Sequence, residues 1–195
     1  MESVVSVAPS FASNSSAAQI HVKLSRDTLR RIFGRFATGV TVATTIHCGH
    51  RCGLTVNSFT SVSLSPPLIL ICVHRSSRFL RAAVEQGSFA VNIVDDDHLD
   101  VAKFFAAPDR GCEDRWPSWE PSPSGAPLLE GAVASLDCVL QATHPGGDHM
   151  ICVGEVRGVV AAAVGYPLVF VGGHFRSVGP ICDPDGEVLK NWVWI

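Results

Sequence analysis

The sequence predicts a mainly β domain, with antiparallel strands in a closed or partly closed barrel and helices at its flanks. Three observations carry this. First, β-branched runs such as Val40–Thr45 are followed, after a short turn, by further strand-like runs. Second, the long runs Ala132–Thr143 and His149–Val160 face each other across Pro145-Gly146-Gly147. Third, strands do not alternate regularly with helices, so a doubly wound parallel sheet is disfavoured. Closure of about seven such strands would remove exposed edges.

The elements follow in order. Ser25–Phe36 reads as a helix capped by Ser25, with Asp27 in its first turn. Leu29, Ile32, Phe33 and Phe36 form its apolar stripe, and Arg30, Arg31 and Arg35 lie off it, as a solvated face or a partner-docking patch. Val40–Thr45 is a strand, and a turn at Cys48–His50 returns the chain into a strand over Arg51–Ser63. Pro66-Pro67 ends that strand. Leu68–Val73 is apolar throughout, which predicts burial on both faces. A helix capped at Ser76-Ser77 runs to Gln86 and stops at Gly87. Phe89–Ile93 is a strand, and Asp97 caps a helix to Ala106. Pro108–Gly125 reads as a long irregular loop. Pro167–Phe170 and His174–Phe175 make a last hairpin-like pair, followed by a polar turn and an apolar Trp192-Val193-Trp194 end.

The expected organisation is one domain over 25–180, a Ser/Ala/Asn-rich disordered tail over 1–24 and a C-terminal tail over 181–195. A net charge of −3 gives no basic field for nucleic acid or an anionic membrane, and no run is long enough to span a bilayer. The start lacks a secretory pattern, so a cytoplasmic protein is expected. Seven cysteines, an odd count without C-x-x-C, read as free thiols filling apolar strands. Cys48-Gly49-His50-Arg51-Cys52 has no usual zinc spacing and reads as a hairpin tip; no metal site is expected. His47, His50, His98 and His144 read as surface residues.

The chemistry concentrates in Gly53–Pro67, a hydroxyl-rich strand before a double proline. If the strand leaves its ladder at Asn57–Thr60, its backbone amides and the Asn57 side chain can meet the donors and acceptors of a flat polar ligand; the alternative is an edge strand with surface hydroxyls. Ser76-Ser77-Arg78 before a helix combines N-terminal amides, a hydroxyl and a guanidinium, which suits a phosphate, or is an ordinary N-cap. The dinucleotide, P-loop, zincin and nucleophile-elbow motifs are absent from the sequence.

Six pieces in order resemble the short-chain flavin reductases, the reductase partners of two-component flavin monooxygenases. They are Phe36–Val42, Thr55–Ser63 with Pro66-Pro67, Cys72–Ser77, Phe89–Ile93, Gly147-Asp148-His149 with Gly154-Glu155-Val156, and Pro167–Phe170 with Phe175-Arg176. The resemblance spans Leu29 to about Arg176 and implies an antiparallel Greek-key split β-barrel, the FMN-binding split barrel, working as a homodimer. It implies NAD(P)H-dependent reduction of FAD or FMN, with NADH the expected donor and NADPH possible. Reduced flavin would then diffuse to a separate oxygenase or halogenase. Cofactor contacts are implied at Thr38, Val40, Thr41, Asn57, Ser58, Phe59, Thr60, Ser63, Cys72, His74, Ser77, Arg78, Phe104, His149 and Arg176. His149 is the implied catalytic residue, on the nicotinamide side. Phe79 stands where many relatives carry Thr, which puts one phosphate hydroxyl in doubt. The rival readings are a non-reductase flavin- or haem-binding split barrel and a pyridoxine-phosphate-oxidase-like enzyme.

Overall fold

The structure is a computed structural model and describes residues 23–107 and 118–179. The expected tails, the Trp192–Trp194 end and residues 108–117 of the long loop lie outside the described residues.

Helix α1 is Arg26–Phe33, and Ser25 Oγ accepts from Thr28 N at 3.1 Å. Strands β1 (Thr38–Gly39), β2 (Thr41–His47), β3 (His50–Val56), β4 (Thr60–Leu64) and β5 (Pro67–His74) follow. Helix α2 (Arg78–Gln86) ends at Gly87, whose φ of 73° suits glycine. Then come β6 (Ser88–Ile93), a 3₁₀ turn (Asp96–His98), α3 (Leu99–Ala106), β7 (Trp119–Pro121) and β8 (Pro127–Leu129). The chain finishes with β9 (Ala134–Gly146), β10 (His149–Ala161), β11 (Val169–Val171) and β12 (His174–Arg176).

Seven strands form one antiparallel sheet in the order β3-β2-β6-β9-β10-β5-β4. Its two edge strands, β3 and β4, are neighbours in the chain, joined only by Asn57-Ser58-Phe59. Laid flat, six inter-strand spacings of about 4.8 Å would part those edges by about 29 Å. The link reaches at most about 14 Å. The sheet must therefore roll up, and the unpaired seam between β3 and β4 is the split in the barrel. β1, β11 and β12 form a second small sheet at its side.

One core cluster holds Ile69, Ile71 and Val73 of β5 with Phe79 of α2 and Phe89 of β6. A second holds Val40, Val42, Ala102, Phe105 and Leu168, and seats α3. The buried Asn92 amide donates to Val42 O and Thr44 Oγ1 and accepts from Leu129 N and Ser135 Oγ. It locks β6 to its neighbours with its side chain fully satisfied.

Several sequence expectations change. The α1 stripe packs into no core: Phe33 is 68% and Phe36 77% exposed. The predicted strand 51–63 breaks at 57–59, where the chain crosses the seam. β5 buries only Ile69, Ile71 and Val73, so its alternate residues stay half-buried. β4 ends at Leu64, ahead of the double proline, and Pro67 then opens β5. Asp97 does not cap α3: Asp95 caps the 3₁₀ turn, its carboxylate accepting from Asp97 N and Tyr166 N, and α3 itself starts after His98 without a side-chain cap. The Pro108–Gly125 loop contributes β7, which pairs with β8. Its turn is tied down by the buried Asp137 carboxylate, accepting from Ser122 Oγ, Ser124 N and Ser124 Oγ. The β9–β10 turn centres on Gly147-Asp148, since Gly146 still pairs with His149. His98 is half-buried, its ring against Gly131, rather than on the surface.

Candidate active site

A cavity of about 170 Å³ opens between the end of β3, the end of α3 and the β11–β12 hairpin. Val40, Ala106, Phe170 and Phe175 give it apolar walls, and Thr55 and Asn57 give it a polar side. The two phenylalanine rings meet edge to face at 5.3 Å. Thr55 is committed, its hydroxyl donating to Ala102 O at 2.7 Å. Asn57 is exposed and free to turn toward a ligand. Thr38 pairs with Phe170 across β1–β11, and its buried Oγ1 has no hydrogen-bond partner. Leaving such a group unmet costs about 1–3 kcal/mol, so a ligand oxygen or N–H is the fitting partner. Ligand pockets usually reach roughly 300–1,000 Å³, so this cavity holds one end of a planar ring system.

Ser58 next to Asn57 serves the barrel. Its hydroxyl accepts from Cys72 N at 2.9 Å and donates to Cys72 O at 3.0 Å. A side chain thus replaces the ladder just beyond β4, which frees the 57–59 backbone from pairing. Thr41 is also spent internally, donating to Val56 O. Phe59 packs on the first core cluster and Phe104 on the second. Thr60 bonds locally to Ser61 O, and Ser63 accepts from Ser65 N. Arg176 is exposed at the end of β12. The structure brings Val40 and Asn57 together in that cavity, places Thr38 beside Phe170 across β1–β11, and leaves Ser63 and Arg176 outside it.

A second group sits where β5 ends. His149 lies directly opposite His74 across β10–β5, so both side chains share the outer face. Their rings are 5.2 Å apart and nearly perpendicular. His149 Nδ1 is 2.7 Å from Asp148 Oδ1. The hydrogen bond from His149 holds the Asp148 carboxyl below the usual carboxylate range; desolvation works against it, and the charge of His149, a backbone hydrogen bond and the charge of His74 add to the lowering. With Nδ1 facing a carboxylate, Nε2 is left to face outward. Arg75 clamps this turn, donating from Nε to Gly147 O at 2.7 Å and from its backbone N to Asp148 O at 3.0 Å.

The phosphate-end segment continues from there. Ser77 N donates to His74 O, and Ser77 caps α2 without a side-chain bond, leaving its hydroxyl available. Arg78 is exposed and makes no ion pair with a described residue. Phe79 points the other way, into the core, edge-on to Phe89 at 6.4 Å. Its phenyl group is a packing element turned into the core.

The sequence reading missed Thr55, Ala106, Phe170 and Phe175 as cavity walls and Asp148 as the partner of His149. Thr55, Phe170, Phe175 and Asp148 all lay inside segments already singled out. Ala106 carried no signal, because an alanine at a helix end is ordinary. The buried thiols are inert: burial, reinforced by the Asp137 charge, pushes Cys138 up to about 12. Burial, with Cys72 nearby, pushes Cys152 up to about 11.

A split β-barrel with an aromatic, half-apolar cavity at its seam defines a flavin-binding split-barrel protein. The match to known families fixes which one: residues 33–179 match the flavin reductase like domain, and the chain belongs to that family. The reductase subunit HsaB of a flavin-dependent monooxygenase from Mycobacterium tuberculosis is 36% identical over 159 residues, covering 78% of this chain and 82% of that protein. An NADH-dependent FAD reductase from Streptomyces globisporus is 42% identical, covering 80% of this chain and 87% of its own length. Among solved structures, the NADH:FAD oxidoreductase SgcE6 of Streptomyces globisporus superposes with a TM-score of 0.78 at 39% identity, covering 85% of this chain and all of that one. BorF, the flavin reductase component of a bacterial two-component tryptophan halogenase, gives 0.75 at 38% identity, covering 80% of this chain and 100% of its own. No helix among the described residues is long and apolar enough to cross a membrane.

Proposed function

We propose that this chain is an NAD(P)H:flavin oxidoreductase that reduces FAD or FMN and supplies the reduced flavin to a separate oxygenase or halogenase. Its carrying observation is the cavity at the barrel seam, lined by the exposed Asn57 together with two phenylalanine rings. Flavin and nicotinamide supply the hydride chemistry when bound, so the protein needs no general base for the transfer. Its residues hold and orient. Thr38 and Asn57 meet polar atoms at the edge of the ring, and the Phe170 and Phe175 side favours its apolar flank. His149, held by Asp148, would turn Nε2 toward the nicotinamide. Ser77 and Arg78 meet the phosphate end. Orientation of two planar partners in near-attack geometry is where the rate gain lies.

The working form is a homodimer. The cavity is too small for a whole flavin, and the apolar side chains of Ile32, Phe33 and Phe36 at the end of α1 are left exposed. Relatives named as reductase subunits of two-component systems support the oxygenase or halogenase partner. The test is NADH oxidation by dialysed protein. Turnover that starts only on adding FMN or FAD supports a reductase handling flavin as a substrate. Stoichiometric flavin surviving dialysis points to a resident group instead, and absence of turnover with either flavin overturns the reading.

A further inference from the structure

Arg30 and Arg31 of α1 and Arg35 just beyond it make no ion pair within the described chain. Arg30, Arg31 and Arg35 line a groove of about 490 Å³ whose other wall is the Gly172-Gly173 turn of the β11–β12 hairpin. Asp27 also reaches the groove, so its lining carries three positive charges and one negative. The helix dipole alone would favour a cation or two near this end. Three converging on a cleft exceed that need.

The groove is built to let an anion come close. Gly172 and Gly173 have φ of 61° and 83°, and neither would place a Cβ within 4 Å of another group. The turn therefore presents bare backbone, and an oxygen can reach past it to the guanidinium forks. The negative end of α1 is largely spent: Arg30, Ile32 and Phe33 carbonyls accept from Gly34, Arg35 and Phe36 N, and Gly34 O accepts from Gly172 N at 2.6 Å. That last bond also fixes the helix end to the hairpin. Phe170, which lines the ring cavity, lies two residues from the Gly172 turn, about 7 Å along a strand.

We infer that Arg30, Arg31 and Arg35 form a diphosphate subsite for a dinucleotide bound beside the Phe170–Phe175 cavity. This rests on the flavin reading above. Guanidinium groups bind phosphate oxygens in bidentate fashion, and several of them match the charge of a diphosphate. FAD and NADH both carry a diphosphate, while FMN and reduced nicotinamide mononucleotide carry a single terminal phosphate. The subsite thus separates dinucleotides from mononucleotides.

Calorimetric titration of the full chain tests this, comparing wild type with the triple variant Arg30→Gln, Arg31→Gln, Arg35→Gln. The three side chains are exposed, so the urea midpoint should be unchanged. Loss of about tenfold or more in FAD affinity with FMN affinity retained assigns the subsite to the flavin. The same loss for NADH, with reduced nicotinamide mononucleotide unaffected, assigns it to the nicotinamide dinucleotide. Inorganic pyrophosphate should compete with the affected dinucleotide in wild type. Equal weakening of mononucleotide and dinucleotide, or no weakening of either, overturns the subsite. Wild type that binds neither FMN nor FAD would instead remove the flavin reading on which the subsite rests.

Discussion

His74 and His149 stand opposite each other across β5 and β10, rings 5.2 Å apart and nearly perpendicular, with Asp148 bound to the far side of His149. Asp148 sets the tautomer, and His74 limits how the ring can tilt. The backbone hydrogen bond from Ser77 to His74 carries this arrangement directly into the start of α2. The nicotinamide and phosphate sides of the proposed site are therefore linked by the β5–β10 pairing and the Ser77–His74 hydrogen bond.

His149→Ala should raise the NADH KM or slow hydride transfer by up to about 10²-fold, with flavin Kd little changed. Asn57→Ala should do the reverse, weakening flavin more than NADH. Asp148→Asn should fall between wild type and His149→Ala, because it weakens orientation without removing the ring. Steady-state kinetics with flavin titrations on the three variants checks this. Unchanged NADH parameters in His149→Ala would place the nicotinamide elsewhere.

Ser58→Ala should destabilise the protein by about 1–3 kcal/mol, since it strands both the N–H and the carbonyl of Cys72 at the barrel seam. A urea titration reads this directly. A midpoint equal to wild type would mean that the hydroxyl bridge contributes nothing.

Gly154→Ala should also destabilise, by about 1–3 kcal/mol. An added Cβ would lie 2.6 Å from the ring of Phe89 and 3.1 Å from Cys138 Cβ. Phe89 is fully buried and cannot swing away. A thermal melt as high as wild type would show that the core relaxes there.

The buried thiols make a pH prediction. Cys138 and Cys152 titrate in the folded state at about 12 and about 11, above the ordinary 9.0. A raised thiol pKa means that folding favours the protonated form. The associated stability is fully present below pH 9 and is lost as pH rises through the folded values. The melting temperature should fall from pH 9 upward, less steeply in Cys138→Ala, Cys152→Ala. At pH 8 a thiol reagent should label the exposed Cys48 and spare Cys138 and Cys152, read by peptide mass. Prompt labelling of Cys138 in folded protein would contradict the burial account.

The uncovered α1 face makes an assembly prediction. The protein should scatter light as a dimer at micromolar concentration, and Phe33→Asp, Phe36→Asp should shift it toward monomer. Wild type with monomeric mass would remove the dimer.

Much of the barrel was legible because strand periodicity and turn residues are local: Gly87 ends α2, and Cys48-Gly49 turns β2 into β3, as composition implies. What escaped was long-range. The α1 stripe has the spacing of a core-facing helix, and nothing in the spacing distinguishes a core from a partner. The break at Asn57–Phe59 depends on a seam set by strands far away in sequence. Phe79 looked like a lost phosphate contact, yet its environment is decided by Phe89. The cavity walls Phe170 and Phe175 meet Val40 only through the pairing of β1 with β11. Asp148 was visible as a neighbour of His149, but its hydrogen bond required the geometry of the Gly147 turn.

The most direct test is an anaerobic single turnover in the stopped-flow instrument. Protein mixed with FAD or FMN and one equivalent of NADH should lose flavin and NADH absorbance together, one for one, and His149→Ala should slow both signals equally. Flavin and NADH absorbance no more affected by the protein than by buffer alone would contradict the assignment of this chain as a flavin reductase.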